Sequence, residues 1–297
     1  MDRARTCIEL CVDVDGVTGG ASSTSRRSRS PFGSDLVRGA LVLGPDDAHL
    51  VLDAPGVGAG LWDRLLDTMS SAACRCYEPS VERFGHHYRG TVHRGFGRAL
   101  DSVWGEIESR LDAVVGDLPV TVTGHGFGGA LATLAAARYR DRTGRELATC
   151  TFGAPKVGDG VFAASHPGQW RFEHGSDLVP FLAPAPGVRE LLADVPLLDR
   201  LVPSTEVAYE HAGRLVFMDW SGGFVDLAAD PDPAVMETVL RLSRWGDLTL
   251  RILEFADHLF DGAPGASPLA VDHRLDAYRL AVAALAADDV SIFDHRA

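Results

Sequence analysis

The stretch PVTVTGHGFGGALATLAAARYRDRTG, residues 119 to 144, leaves a chain few choices. A short β-branched run reads as a buried strand. A tight glycine-rich turn follows, and then an apolar helix. Around it the same alternation repeats. LVRGALVL (36–43) and AHLVLDAP (48–55) read as strands joined by a GPDD turn. GLWDRLLDTM (60–69) places Leu61, Trp62, Leu65, Leu66 and Met69 on one helical face, and RALDSVWGEIESRLDAVV (98–115) is amphipathic at helical period. ELATCTFGAP (146–155) is a further buried strand, QWRFEHGSDLVP (169–180) a strand then a loop, and GRLVFMDW (213–220) another strand. Residues 233–260 are helical in pattern and 272–289 form a last amphipathic helix. Strands alternating with helices imply an α/β chain whose mostly parallel sheet is covered on both faces.

CIELCVDVD (7–15) alternates apolar and polar residues, as a half-buried strand does. Residues 16–34, rich in Gly, Ser and Arg, are expected to be a mobile loop. With no internal repeat and no composition break, residues 1–297 are read as a single domain, within which 186–206 and 233–260 are cap elements.

Charge and cysteine usage narrow the partners. A formal net charge of −13 argues against nucleic acid and against anionic lipid surfaces, because both are polyanions. No run approaches the roughly 18 apolar residues of a membrane span. The first residues, MDRARTCIELCVDVDG, lack a secretory core, and five cysteines is an odd count. Reduced thiols and a cytoplasmic location are therefore expected. Lys156 is the one lysine among 28 basic residues, a skew expected of a high-GC bacterial genome. Cys74 and Cys76 form a lone C-x-C without further ligands at sensible spacing, so no metal site is expected.

Gly124, Gly126 and Gly129 spell G-x-G-x-x-G, a dinucleotide fingerprint. That use needs an acid at the end of the next strand to hold a ribose hydroxyl. Here Glu146 stands at the start of that strand, and its end is Phe-Gly-Ala-Pro. No cofactor is expected. The same letters fit G-x-S-x-G, the strained turn that presents a hydrolase nucleophile, with Gly126 at its tip.

VTVTGHGFGGALATLAA together with TFGAPKVGD resembles the class 3, fungal-type, lipase family, whose pattern is roughly T-G-H-S-L-G-G-A-L-A followed by T-F-G-x-P-R-V-G. VHRGFGRALDSVW (92–104), RFEHGSDLVPFLAP (171–184), YEHAGRLVF (209–217) and DHRLDAYRLAV (272–282) are similar to further family segments in the family's order. The resemblance implies an α/β-hydrolase fold with a helical lid, and a triad whose Asp would be Asp177 and whose His would be His273. His258 is a rival, but it sits on an apolar helical stretch and lacks the nearby tyrosine, Tyr278. His93 and His211 match scaffold positions. The lid helix would be 60–69, so Trp62, Leu65 and Leu66, with His125 beside the turn, are the candidate substrate-side residues for a hydrophobic small molecule.

Two departures stand out. The family's nucleophilic serine is Gly126 here, and its oxyanion loop is LDAPGVGAG (52–60), without the arginine and hydroxyl residue. Oxyanion donors would then be backbone: the Phe127 amide and the amides of Gly56 and Val57. Three accounts follow. First, His273 and Asp177 act as a general base without covalent catalysis, for elimination, isomerisation, cyclisation or hydration. Second, a serine esterase has had its nucleophile changed to Gly126. Third, the chain is a non-catalytic binder that keeps the pocket. The two separate departures weigh against the second, and the intact Asp/His pair against the third.

Overall fold

The computed structural model describes residues 2–15, 27–53, 76–77, 88–175, 177, 179–181, 209–218, 224–226 and 273–285. Its elements in chain order are α1 (Asp2–Asp15), β1 (Ser28–Gly33), β2 (Arg38–Leu43), β3 (Ala48–Asp53), β4 (Cys76–Tyr77), β5 (Val92–His93), α2 (Arg94–Asp101), α3 (Trp104–Val114) and β6 (Val120–His125). There follow α4 (Phe127–Thr143), β7 (Ala148–Phe152), β8 (Gly158–Asp159), α5 (Gly160–Ala164), β9 (Trp170–His174), a 3-10 turn (Val179–Phe181), β10 (Tyr209–Glu210), β11 (Arg214–Met218), β12 (Phe224–Asp226) and α6 (Leu275–Ala284).

Eight strands form one sheet in the order β1-β2-β3-β6-β7-β9-β11-β12. Its middle, β3 to β11, is parallel, and antiparallel pairs close both ends. A small second sheet runs β10-β8-β5-β4. Strand alternation sends side chains to two cores. Leu50, Leu52 and Val122 pack with α2, α3 and α4, including Phe96, Trp104 and Leu131. Val42, Val51, Cys150, Phe152, Phe172 and Val216 pack with α1 and α6 on the other face. Each such buried aliphatic side chain contributes about 1.5–3 kcal/mol relative to exposure. The architecture is the α/β-hydrolase arrangement expected from the sequence.

Three local expectations change. Residues 7–15 are not a strand but the second half of α1. Its fully packed positions Ala4, Cys7, Ile8, Cys11 and Val14 follow an i, i+3, i+4 stripe, with Leu10 buried beside it. The helical stripe begins upstream of the window in which the alternation was read. The loop expected over 16–34 contains β1 at 28–33, which pairs along its whole length with β2. Such a polar stretch serves as an edge strand because an edge needs one row of backbone hydrogen bonds and buries little, here Phe32 alone. The helix expected over 98–115 is two helices, α2 and α3. Ser102 Oγ donates to Ala99 O at 2.7 Å, a local side-chain bond that competes with continuation of the helix. The lid segment 60–69 and the cap segments 186–206 and 233–260 lie outside the described residues.

α4 leaves β6 through one residue and lies against α2 on one side and β3, β6 and β7 on the other. This tight crossing explains the glycines. A Cβ on Gly128 would stand 2.1 Å from the Leu52 carbonyl oxygen, so the start of α4 rests on the end of β3. Replacing Gly128 by Ala should destabilise the fold by about 2 kcal/mol or more, because a backbone oxygen cannot swing aside. Gly105→Ala in α3, where a Cβ meets nothing within 4 Å, should be neutral or stabilising. Denaturant midpoints of the two variants check this.

Candidate functional site

The carboxyl ends of the parallel strands are where open α/β sheets present ligand-binding groups, and there the candidate residues meet. Gly126 is the single residue between β6 and α4, at φ 53° and ψ −120°. Its N–H donates to Phe152 O at 2.8 Å. This is the left-handed half of backbone space, costly for any residue with a Cβ. Phe127 opens α4, whose first turn leaves N–H groups without partners inside the helix.

Asp177 follows β9 and is fully buried. Its Oδ1 accepts the Val179 N–H at 2.9 Å. Its Oδ2 accepts two bonds, from His273 Nδ1 at 2.9 Å and from the Tyr278 hydroxyl at 2.6 Å. Tyr278, in the first turns of α6, takes the His174 N–H from the end of β9 at 3.1 Å. Burial opposes the Asp177 charge. The His273 ring, through charge and hydrogen bond, then the Tyr278 hydroxyl and the Val179 N–H, outweigh it and hold the carboxyl below the usual carboxylate range. An ionised Asp177 can only accept, so His273 donates from Nδ1, which in the neutral ring leaves the lone pair on Nε2.

That Nε2 faces the turn. A Cβ built on Gly126 would lie 2.7 Å from His273 Nε2 and 3.0 Å from its Cε1. The imidazole therefore occupies space that any side chain at 126 would claim. His125 stacks on the His273 ring, centroids 4.5 Å apart at 27°, and Tyr278 meets it edge-on. Burial, then repulsion by a charged His273, lower the His125 ring to about 3, so it is neutral at neutral pH.

Thus Gly126, Phe127, His125, Asp177 and His273 come together at the end of β6. Gly56, Val57, Trp62, Leu65 and Leu66, and the rival His258, lie outside the described residues. The sequence reading used Tyr278 to recognise His273 but gave it no place in the site. Its spacing after His273, on an amphipathic helix, was the available signal. Among the described residues no group of three or more His, Cys, Asp or Glu is placed to hold a metal ion, and no helix is long and apolar enough to cross a membrane.

Residues 65–186 match the model of the family Lipase (class 3). Secreted mono- and diacylglycerol lipase 1 of Fusarium solani is 38% identical over 100 residues, 31% of this chain and 30% of the relative. Lipase ZK262.3 of Caenorhabditis elegans is 32% identical over 149 residues, 46% of this chain and 40% of the relative. The matches therefore span less than half the length of these curated relatives. Among solved structures, the native Rhizomucor miehei lipase propeptide complex aligns with a TM-score of 0.55 at 18% identity, over 75% of this chain and 70% of that one. Lip2 lipase from Yarrowia lipolytica aligns at 0.52 and 18%, over 74% and 79%. At such identities these structures share the fold.

Two outcomes are expected. Tyr278→Phe removes a donor from a buried carboxylate and should cost about 1.5–3 kcal/mol in denaturant unfolding. Acid should also weaken the fold. Below about pH 6.5 an unfolded His125 binds a proton that the folded ring refuses until about 3. Asp177, its carboxyl lowered in the fold, adds the same trend at still lower pH. The unfolded chain then binds more protons, so stability falls as pH drops from about 6.5. Midpoints measured between pH 7 and 4 should fall, and His125→Gln should flatten that slope.

Proposed function

We propose that this chain, whose residues 65–186 match the class 3 lipase family, acts on hydrophobic ester- or acyl-bearing small molecules with His273 as a general base and no covalent intermediate. The observation that carries this reading is the pairing of an intact, buried Asp177–His273 dyad with a glycine directly before His273 Nε2. A base is formed and aimed, and the position it aims at offers no nucleophile of its own. In the simplest form, Nε2 takes a proton from water, the hydroxide attacks an ester carbonyl, and the returning proton leaves with the alkoxide. Asp177 stabilises the transient imidazolium. Backbone N–H groups at the start of α4, Phe127 first, would receive the developing oxyanion. The same base can serve elimination, isomerisation or cyclisation when the acidic proton is on the substrate.

The curated relatives direct the choice of substrate. One is named for mono- and diacylglycerols, so acylglycerols and short acyl esters are the class to try first. Cys7, Cys11 and Cys150 are buried thiols outside any disulfide, which supports a reducing, cytoplasmic setting.

The test compares hydrolysis of short and medium acyl nitrophenyl esters by the unaltered protein, His273→Ala, Asp177→Asn and Gly126→Ser. The general-base reading expects slow turnover that falls about 10²- to 10⁴-fold in His273→Ala, with no large gain from serine. Equal rates in the unaltered protein and His273→Ala would refute it in favour of a binder. A gain of several orders of magnitude in Gly126→Ser would instead identify a serine esterase site deprived of its nucleophile. Serine there should also cost about 1–3 kcal/mol of stability, from the positive φ and from displacing the His273 ring.

A further inference from the structure

Glycine at 126 leaves the His273 ring gripped at one nitrogen. In a Ser-His-Asp triad the imidazole is held at both: the carboxylate accepts from Nδ1, and the nucleophile's hydroxyl bonds Nε2. Here Asp177 Oδ2 bonds Nδ1 at 2.9 Å, and residue 126 has no side chain to meet Nε2. A ring anchored at a single nitrogen can pivot about that bond. A base serves only while its lone pair keeps its direction.

A second hold lies on the ring's face. Val122 turns to the α4 side of the sheet, so strand alternation turns His125, the last residue of β6, to the α6 side. There it stacks on His273, centroids 4.5 Å apart with 27° between the planes. The contacts then close on themselves. Asp177 bonds both His273 and Tyr278, Tyr278 meets His125 edge-on at 5.4 Å and 67°, and His125 returns to His273. In such a circuit no ring tilts without opening two contacts. Gly153, just after β7 at φ 56°, supplies the room. A Cβ on it would stand 2.6 Å from Asp177 Oδ2, 2.9 Å from the Tyr278 hydroxyl and 3.1 Å from His273 Nδ1. Backbone at Gly126 and Gly153 thus bounds the ring at its Nε2 and Nδ1 edges, and His125 bounds it across its face.

We propose that His125 is a positioning residue: its ring, laid on the face of His273, supplies the second hold that a serine would give through Nε2, and keeps that nitrogen directed at the glycine tip. The assignment rests on His273 being the working base. It also suits the proton step. The His125 ring, lowered to about 3 by burial first, is neutral at neutral pH. A proton arriving on His273 therefore meets an uncharged ring and not a second cation.

The test sets His125→Leu beside His125→Phe in the full chain. Leucine fills the space without a flat face, and phenylalanine restores the face. His125 Nε2 has no hydrogen-bond partner among the described residues, so a phenyl ring strands no bond there. In hydrolysis of short acyl nitrophenyl esters, His125→Leu should lose about 10- to 100-fold in kcat with KM within about twofold. His125→Phe should recover most of that loss. Proton NMR reads the hold without substrate. The downfield Nδ1–H signal of the Asp177–His273 bond, assigned by its loss in His273→Ala, should be sharp in the unaltered protein and in His125→Phe. In His125→Leu it should be broadened by exchange with water. Full kcat or a sharp signal in folded His125→Leu would overturn the proposal, as would a folded His125→Phe no better than His125→Leu. If neither variant folds, the unaltered protein decides, because a signal already broadened there means the ring is not held. Equal ester turnover by the unaltered protein and His273→Ala would refute the general-base reading alone and leave the NMR comparison standing.

Discussion

The Asp177 carboxylate is the joint on which the site depends. It is fully buried, so its charge survives only because three groups from three places meet it: His273 before α6, the Tyr278 hydroxyl within α6, and the Val179 N–H after β9. Removing one donor leaves a buried charge undercompensated, which is far costlier than the loss of an ordinary hydrogen bond. The same contacts fix α6 against the end of β9 and thereby aim His273 Nε2 at the β6–α4 turn. Positioning and protonation state come from one set of bonds.

The turn itself is shaped by a different force. α4 starts so close to β3 that the Leu52 carbonyl leaves no room for a Cβ at 128. The same close packing bears on two glycines of the G-x-G-x-x-G pattern: a Cβ on Gly124 would stand 2.3 Å from Gly128 O, and one on Gly129 2.8 Å from the Ala154 Cβ. The tip at 126 keeps the left-handed geometry of a strained elbow although glycine there carries no nucleophile. The His273 ring, stacked on a neutral His125, fills the space. The dyad is thus held with its Nε2 toward the glycine turn.

Helix α1 ties the two halves of the picture together. It covers the sheet face opposite α4, holds the end of α6 through Arg5, and brings Cys7 against His49. None of this was visible in CIELCVDVD, because Ile8, Leu10, Val12 and Val14 fit a period of two while Cys7, Ile8, Cys11 and Val14 fit a helical stripe. The ambiguity lifts only when Ala4 is counted, and the contacts across the sheet decide it. The polar segment at 28–33 was illegible for the opposite reason. An edge strand is specified by its partner's free backbone groups, which leave no mark in its own residues.

What the sequence by itself determined was the alternation of strands and helices, the parallel centre of the sheet, the glycine-built turn, and the order Gly126, Asp177, His273. These follow from short-range periodicity and from motifs whose residue types the chemistry requires. What only the tertiary structure decided was distance and protonation. Asp177 lies 96 positions before His273 yet bonds it at 2.9 Å. Tyr278 becomes a partner of that carboxylate, and Cys7 becomes a neighbour of His49, 42 positions on. Periodicity reports which face a residue turns to the core. Packing alone reports which residue from elsewhere in the chain it meets there.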